Sequence, residues 1–255
     1  MSITIKSKTD LEKMRIAGRI AGNARDLAGR SLEPGMTTKD IDKIIHDYII
    51  GQGAVPSFLG YGGFPGSACI SVNDEVIHGI PGTRKIKSGD IVSIDVGAYI
   101  DGFHGDTCAT FPVGKITDEA QALLDVTRES LYEGIKKAVP GAKLEEVCGA
   151  VEQYCASRGY GIVREYCGHG IGRHLHESPE VPNYVQKGSK DMHIKLQTGM
   201  CICIEPMINV RGDAIRVCKD GWTVRTKSGS LSAHFEHAIA ISSNGPVILT
   251  ESDLD

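Results

Sequence analysis

The chain nearly repeats itself. Residues 34–53 open on Pro34-Gly35, carry Ile41, Ile44, Ile45 and Tyr48, and close at Gly53. Residues 140–159 open on Pro140-Gly141, carry Val147, Ala150, Val151 and Tyr154 at the same offsets, and close at Gly159. Each apolar set runs i, i+3, i+4, i+7, the stripe of an amphipathic helix. A longer helical stretch precedes each one. The first starts from the capping-box pattern Thr9-Asp10-Leu11-Glu12 and runs toward Leu32; the second runs from about Thr117 to about Ala138. The helical segments lie 106 residues apart, and 110 residues separate Gly89–Asp95 from Gly199–Glu205, each a short apolar strand leading to a carboxylate. Two common patterns can coincide, but order, spacing and terminal acid all agree, which favours duplication. Two helices and a strand group per half imply an α/β (α+β) fold with pseudo-two-fold related halves, 1–115 and 116–255. The axis would bring Asp95 and Glu205 together near the centre. Strands apolar on both faces are buried on both. No Ser/Gly/Pro-rich linker parts the halves, so residues 1–255 read as a single domain around one merged core.

Composition narrows the partners. The 255 residues are 41% hydrophobic and 24% charged, ordinary for a globular protein, and the formal net charge is −4. Without a Lys/Arg-rich run there is no surface to track phosphates or lipid headgroups, so neither nucleic acid nor membrane is expected as a partner. The N-terminus shows no apolar stretch of secretory length, and no run approaches the ~20 apolar residues of a membrane span. The expected location is cytoplasmic. Eight cysteines form no C-x-x-C pair, and several sit in apolar runs such as Cys201-Ile202-Cys203-Ile204. Most read as small buried hydrophobes rather than disulfide partners or zinc-ribbon ligands.

The chemistry concentrates in residues 91–111. Asp101-Gly102 between two apolar runs is a two-residue hairpin signal. Pairing across that turn sets Asp106 opposite Gly97, with Asp95 two residues from Gly97 on the same face. Asp95 and Asp106 are then diagonal neighbours, about 5–8 Å apart, with room left between them over Gly97. A lone Asp at a strand end usually faces solvent. Two on one face of apolar strands repel in low dielectric and call for a cation or a shared proton. Hard oxygen donors suit divalent metals, which adjacent carboxylates can bridge. Glu205 ends the apolar run Met200–Ile204, and Glu236 lies in the strand-like His234–Ala240. Either one, buried without a partner, would cost several kcal/mol. His169 stands in Gly168-His169-Gly170, where a histidine alone is more often structural than a ligand.

The order Asp, Asp, His, Glu, Glu makes a resemblance specific. Asp95-Val96-Gly97, His104-Gly105-Asp106-Thr107, Gly168–Gly172, Ile204-Glu205-Pro206, His234–His237 and Val76–Pro81 together resemble the type I methionine aminopeptidases over essentially the whole chain. The resemblance implies the pita-bread (creatinase/aminopeptidase) fold, with a central curved antiparallel sheet, in one catalytic domain. It implies a metal-dependent aminopeptidase that removes the N-terminal methionine of nascent polypeptides before a small second residue. Two divalent metal ions (cobalt, manganese, iron or zinc) would activate a water as nucleophile. Asp106 and Glu236 would bridge them, Asp95 would complete one site, and His169 with Glu205 the other. His176 would contact the substrate carbonyl, His78 would lie near the scissile amide, and Glu205 would shuttle the proton. His174 and His176 would share one face if that stretch were a strand, with His174 solvated. Phe58, Tyr61, Phe64, Cys69 and Trp222 would line the methionine pocket, although plain core packing remains open for Phe58 and Cys69. Further expectations are transient proximity to the ribosome, a monomer, and the short bacterial form without an N-terminal appendage. The chain departs from the commonest family pattern at Phe58, Gly62 and Leu175, where cysteine, histidine and an aromatic are frequent.

Two other readings compete. Prolidase, aminopeptidase P and creatinase relatives share the fold but usually carry a further N-terminal domain. A relative without metals, acting as a ribosome- or RNA-associated binding protein, would not need all five acids and imidazoles together with His78 and His176.

Overall fold

The computed structural model describes residues 3–254. Helix α1 (Lys8–Arg30) begins two residues earlier than the sequence suggests. Ser7 is its N-cap, and Ser7 with Asp10, not Thr9 with Glu12, makes the reciprocal capping box. Helix α2 (Thr38–Gly51) is capped the same way by Thr37 and Asp40. In the second half, α3 (Asp118–Lys137) starts from Thr117, and α4 (Leu144–Ala156) follows. The stripes hold with one rotation. Helix α4 buries Leu144, Val147, Cys148, Val151 and Cys155, while Ala150 and Tyr154 are only partly covered.

Strands β1 (Val55–Pro56), β2 (Ala68–Val72), β3 (Glu75–Ile77), β4 (Ile91–Ile100) and β5 (Phe103–Pro112) belong to the first half. The second contributes β6 (Gly161–Ile162), β7 (Gly168–Gly170), β8 (Glu177–Val181), β9 (Cys201–Ile204), β10 (Met207–Asn209) and β11 (Ile215–Val217). It ends with β12 (Val224–Thr226), β13 (Ser232–His234), β14 (Glu236–Ser242) and β15 (Gly245–Ile248). A nine-stranded antiparallel sheet runs β1-β4-β5-β14-β9-β7-β8, with β2 also on β4 and β15 also on β14. It crosses from one half of the chain to the other where β5 meets β14. Two three-stranded sheets, β13-β10-β6 and β11-β12-β3, flank it.

The two-residue period of a strand sorts the side chains. Val92, Ile94, Val96 and Ala98 of β4 pack with Ile20, Ala24, Ile41 and Ile45 from α1 and α2. Ile202, Ile204, Ile239 and Ile241 pack in the same way under α3 and α4. All four helices therefore cover one face. The alternate residues, Asp95, Asp106, Cys108, Cys203 and Glu236, are left on the other. The hairpin turns at Asp101 (φ 52) and Gly102 (φ 84), the left-handed pair of a two-residue turn, and its register sets Gly97 against Asp106 and Asp95 against Cys108.

The space above Gly97 is not left open between the acids. A side chain there would strike Phe58 and Ser57, each 2.7 Å from where its Cβ would lie. The glycine admits the Phe58 ring instead.

Candidate metal centre and side-chain pocket

Five elements deliver the expected cage residues to one place. Asp95 comes from β4, Asp106 from β5, His169 from β7 and Glu236 from the first position of β14, while Glu205 follows β9 directly. All but Asp95 are at most 9% exposed, and the Asp95 carboxyl is also enclosed. His169 Nε2 lies 3.7 Å from Asp106 Oδ2 and 3.8 Å from Glu205 Oε1. Donor atoms of Asp106, His169, Glu236 and, in addition, Cys203 lie within 4.8 Å of one another.

Without a cation this arrangement is electrostatically unfavourable. Burial pushes the Asp95 carboxyl up to about 7. Burial first, then Glu236 and Asp95, hold Asp106 well above the usual carboxylate range. Burial and the neighbouring acids raise Glu205 and Glu236 in the same way. Asp95 Oδ1, Asp106 Oδ1 and Glu236 Oε1 are buried with no hydrogen-bond partner among the described residues. The His169 Nδ1–H can donate to the Gly170 carbonyl at 2.9 Å, and that tautomer turns a bare Nε2 lone pair toward the carboxylates. Lone pairs converging on lone pairs in a dry site are what divalent cations satisfy. The donor set, carboxylates plus one imidazole, matches borderline and hard divalent ions. The cage fits metal.

Beside the cage lies a cavity of about 200 Å³. That is below the ~300–1,000 Å³ usual for drug-sized ligands, so it suits one side chain rather than a length of peptide. Phe58, Tyr61, Phe64, Cys69 and Trp222 all line it, as do His78 and His176 and the cage itself. Phe64 meets Trp222 edge-on at 5.2 Å. Leu175, noted in the sequence as a departure from the family pattern, lines the cavity too, and Ile77, Tyr166 and Cys167 complete the wall without having been singled out. They sit in short segments whose apolar residues look like ordinary core.

The histidines at the mouth are neutral bases. Burial, then His176, lowers His78 to about 4, and burial lowers His176. His176 Nδ1 lies 2.8 Å from the Tyr61 hydroxyl, and its ring stands edge-on to His169 at 4.2 Å. His78 sits at φ 57, a conformation that non-glycine residues occupy mainly where surrounding structure enforces it.

Residues 171–176 form a bend and not a strand, so the condition under which His174 and His176 would share a strand face is not met. A Lys6–Glu177 ion pair at 2.7 Å shapes that turn instead, with Glu177 also accepting from the His174 backbone N–H. His174 is exposed, as expected for a solvated imidazole.

Two neighbours of the cage escaped notice in the sequence. His234 Nε2 is buried, unpartnered among the described residues, and 3.6 Å from Glu205 Oε2. Cys203 Sγ lies within 4.8 Å of donor atoms of Asp106, His169 and Glu236, and burial first, then Glu236 and Asp106, push its thiol well above the usual range.

A pita-bread fold holding a buried carboxylate–imidazole cage beside an apolar one-side-chain pocket defines a metal-dependent hydrolase. Residues 12–243 match the model for metallopeptidase family M24. A methionine aminopeptidase of Clostridium acetobutylicum is 47% identical over 249 residues, covering 97% of this chain and 98% of that one. The crystal structure of methionine aminopeptidase from Rickettsia prowazekii superposes with a TM-score of 0.94 at 40% identity, covering 98% of this chain and 100% of that one. Prolidase from Pyrococcus furiosus shares the fold at a TM-score of 0.79 and 23% identity, and this chain covers 66% of its length. The chain belongs to metallopeptidase family M24, in its methionine aminopeptidase branch.

Proposed function

We propose that this enzyme removes the N-terminal methionine from new polypeptides, with the cage residues as ligands of two divalent cations. One observation carries the reading: a largely apolar slot opens directly onto unpartnered buried carboxylates, so a bound side chain places its own peptide bond beside them. Asp95, Asp106, His169, Glu205 and Glu236 would hold the ions between them. The ions, drawn from cobalt, manganese, iron or zinc, supply the positive charge that ionises a water near neutrality and polarises the scissile carbonyl.

The remaining work belongs to side chains. Phe58, Tyr61, Phe64, Cys69 and Trp222 take the methionine side chain, whose unbranched thioether adapts to aromatic walls. With the Tyr61 hydroxyl donating to Nδ1, His176 carries its proton on Nε2 and donates it as a hydrogen bond to the carbonyl oxygen as negative charge grows there. His78, neutral and half-buried, orients the scissile amide. Glu205 takes the water's proton and passes it to the leaving amine. A second residue without bulk keeps the chain clear of Tyr61 and His176 at the mouth. The whole chain acts as one catalytic domain, a monomer in the cytoplasm, meeting its substrates near the ribosome. No described helix is long and apolar enough to cross a membrane.

The test is release of methionine from Met-Ala and Met-Leu peptides by metal-stripped protein resupplied with one cation at a time. Turnover of Met-Ala that depends on added metal and exceeds turnover of Met-Leu is expected. His169→Ala should weaken metal binding and suppress turnover together. His176→Ala should lower kcat about a hundredfold with metal still bound, the scale of losing one transition-state donor. Wild-type rates in both variants at saturating peptide would overturn these roles.

A further inference from the structure

Trp222, the chain's only tryptophan, forms one wall of the pocket, and its place is set by a turn outside that pocket. Strands β11 and β12 pair as a hairpin whose last register pair is Val217 with Val224, and residues 218–223 make its tip. Within the tip the Gly221 N–H donates to the Cys218 carbonyl at 3.1 Å, and the Cys218 N–H to the Thr223 carbonyl at 2.8 Å. Gly221 sits at φ 79, in the left-handed region. Asp220 fastens this turn: its Oδ1 accepts from the backbone N–H of Trp222 and from that of Thr223, each at 2.9 Å. We propose that Asp220 is a positioning residue for substrate binding, holding the Trp222 backbone so that the indole closes the slot around an unbranched side chain. The inference rests on the methionine reading above and adds a residue that is exposed and lies outside the lining of the pocket.

Ring contacts hold the indole inside the pocket. It meets Phe64 at 5.2 Å and His78 at 6.2 Å, at interplanar angles of 74° and 80°, and both partners come from the other half of the chain. Past them, a Cβ on Gly62 would lie 3.3 Å from the indole. Edge-on contacts orient rings relative to one another, but they do not fix the backbone that carries each ring. A tip that pivoted would draw the indole off Phe64 and widen the slot. The base of the hairpin is anchored beside the pocket, because β12 pairs with β3 and sets Val224 against Ile77, which also lines the slot. Trp222 and Thr223 are the two residues just before that anchor, and they are the two whose N–H groups Asp220 takes up. One carboxylate oxygen therefore joins the anchored arm of the hairpin to its turn, with the pocket wall between them.

Substitution at Asp220 separates positioning from chemistry. In the full-length protein resupplied with manganese, Asp220→Ala should raise KM for Met-Ala by about tenfold, the low end of what one apolar pocket contact is worth, and leave kcat unchanged. Asp220→Asn keeps an oxygen acceptor at the same place and should restore the wild-type KM. Gly221→Ala strains the same turn without a clash, since a Cβ there meets nothing, and should raise KM as well. Fluorescence supplies a reading that needs neither metal nor turnover, because every indole photon comes from Trp222. In Asp220→Ala the emission should shift to the red and acrylamide should quench it more readily, while Asp220→Asn should match the wild-type protein. Emission and KM both unchanged in Asp220→Ala, or a loss confined to kcat, would overturn the positioning role and leave the proposed activity standing. If the wild-type protein released no methionine, the proposed activity would fall, and the fluorescence of the variants would still decide whether Asp220 holds Trp222 in place.

Discussion

Asp95 shows what the cage costs when no cation is present. Its carboxyl rises to about 7 by burial in the folded protein, while in the unfolded chain it titrates near 3.8. Between those values the folded chain holds a proton that the unfolded chain lacks. The contribution of this group to stability therefore falls as pH rises from about 4 to about 7 and then levels off, the reverse of a salt-bridged carboxylate. Asp95→Asn removes the titration. Metal-free, the variant should melt above the wild-type protein, by a margin that is larger at pH 8 than at pH 5. With saturating metal the order should reverse, since a ligand has been lost. Thermal melts of both proteins, with and without metal across that range, measure it; a metal-free margin that does not change with pH would mean Asp95 is not the group that titrates. The acids and His169 were legible in the sequence because each interrupts an apolar or glycine-rich run, where an unpartnered charge or imidazole stands out. Cys203 was not, because a thiol in Cys201–Ile204 is itself a plausible core residue. Only the fold shows that Cys203, in one apolar cluster with Cys201 and Met14, also comes close to the acids.

At the scale of elements, α1 does more than cover the sheet. It crosses β5 so closely that a Cβ on Gly105 would lie 2.4 Å from the Gly18 backbone, and one on Gly18 would lie 2.3 Å from the Leu249 carbonyl oxygen. That approach delivers Arg25, whose Nη1 donates to Thr107 Oγ1 at 2.6 Å; the Thr107 hydroxyl in turn donates to the Glu236 carbonyl at 2.7 Å. The helix thus reaches the cage from behind, through the residue beside Asp106. Gly105→Ala must push α1 off the strand. Overpacking of this kind typically costs about 1–3 kcal/mol, and backbone neighbours that cannot rotate aside place it at the upper end. Denaturant unfolding should show the loss, and activity should fall with it as Arg25 leaves Thr107; a variant with unchanged midpoint and rate would mean the crossing is loose. Helices α1 to α4 were readable in advance because 13 to 23 residues sustain a stripe. The start of α1 was misplaced because Ser7…Asp10 and Thr9…Glu12 both fit the box, and packing of Thr4 and Lys6 on Glu177 selects the earlier one. Strands β6 to β8 and β10 to β13 were not foreseen. At two to five residues they carry too little alternation to register as a pattern.

The whole molecule turns on the seam between its halves. Strands β4 and β5 pair along their full length, Ile91 to Pro112 through Ile100 to Phe103, whereas β5 and β14 pair only at Cys108 with Glu236 and Thr107 with His237. The central sheet is therefore joined across its middle by a ladder of only two residue pairs, which contains Glu236 and adjoins Asp106. Repulsion among buried acids acts where the backbone pairing between the two halves of the sheet is short. Cations bound by ligands from β4 and β5 on one side and from β7, β9 and β14 on the other would replace that repulsion with attraction spanning both halves. A ligand at a hundred times its dissociation constant adds about 2.7 kcal/mol to global stability, and here the gain should concentrate at the seam. Metal loading should slow amide exchange at Thr107, Cys108, Glu236 and His237 more than at Val92 to Ile94, which lie in the long ladder away from the cage. Exchange measured with and without manganese, followed residue by residue, tests this. Uniform slowing throughout the sheet would show that the halves already act as one cooperative unit without metal, and that the cage stabilises the fold without joining it.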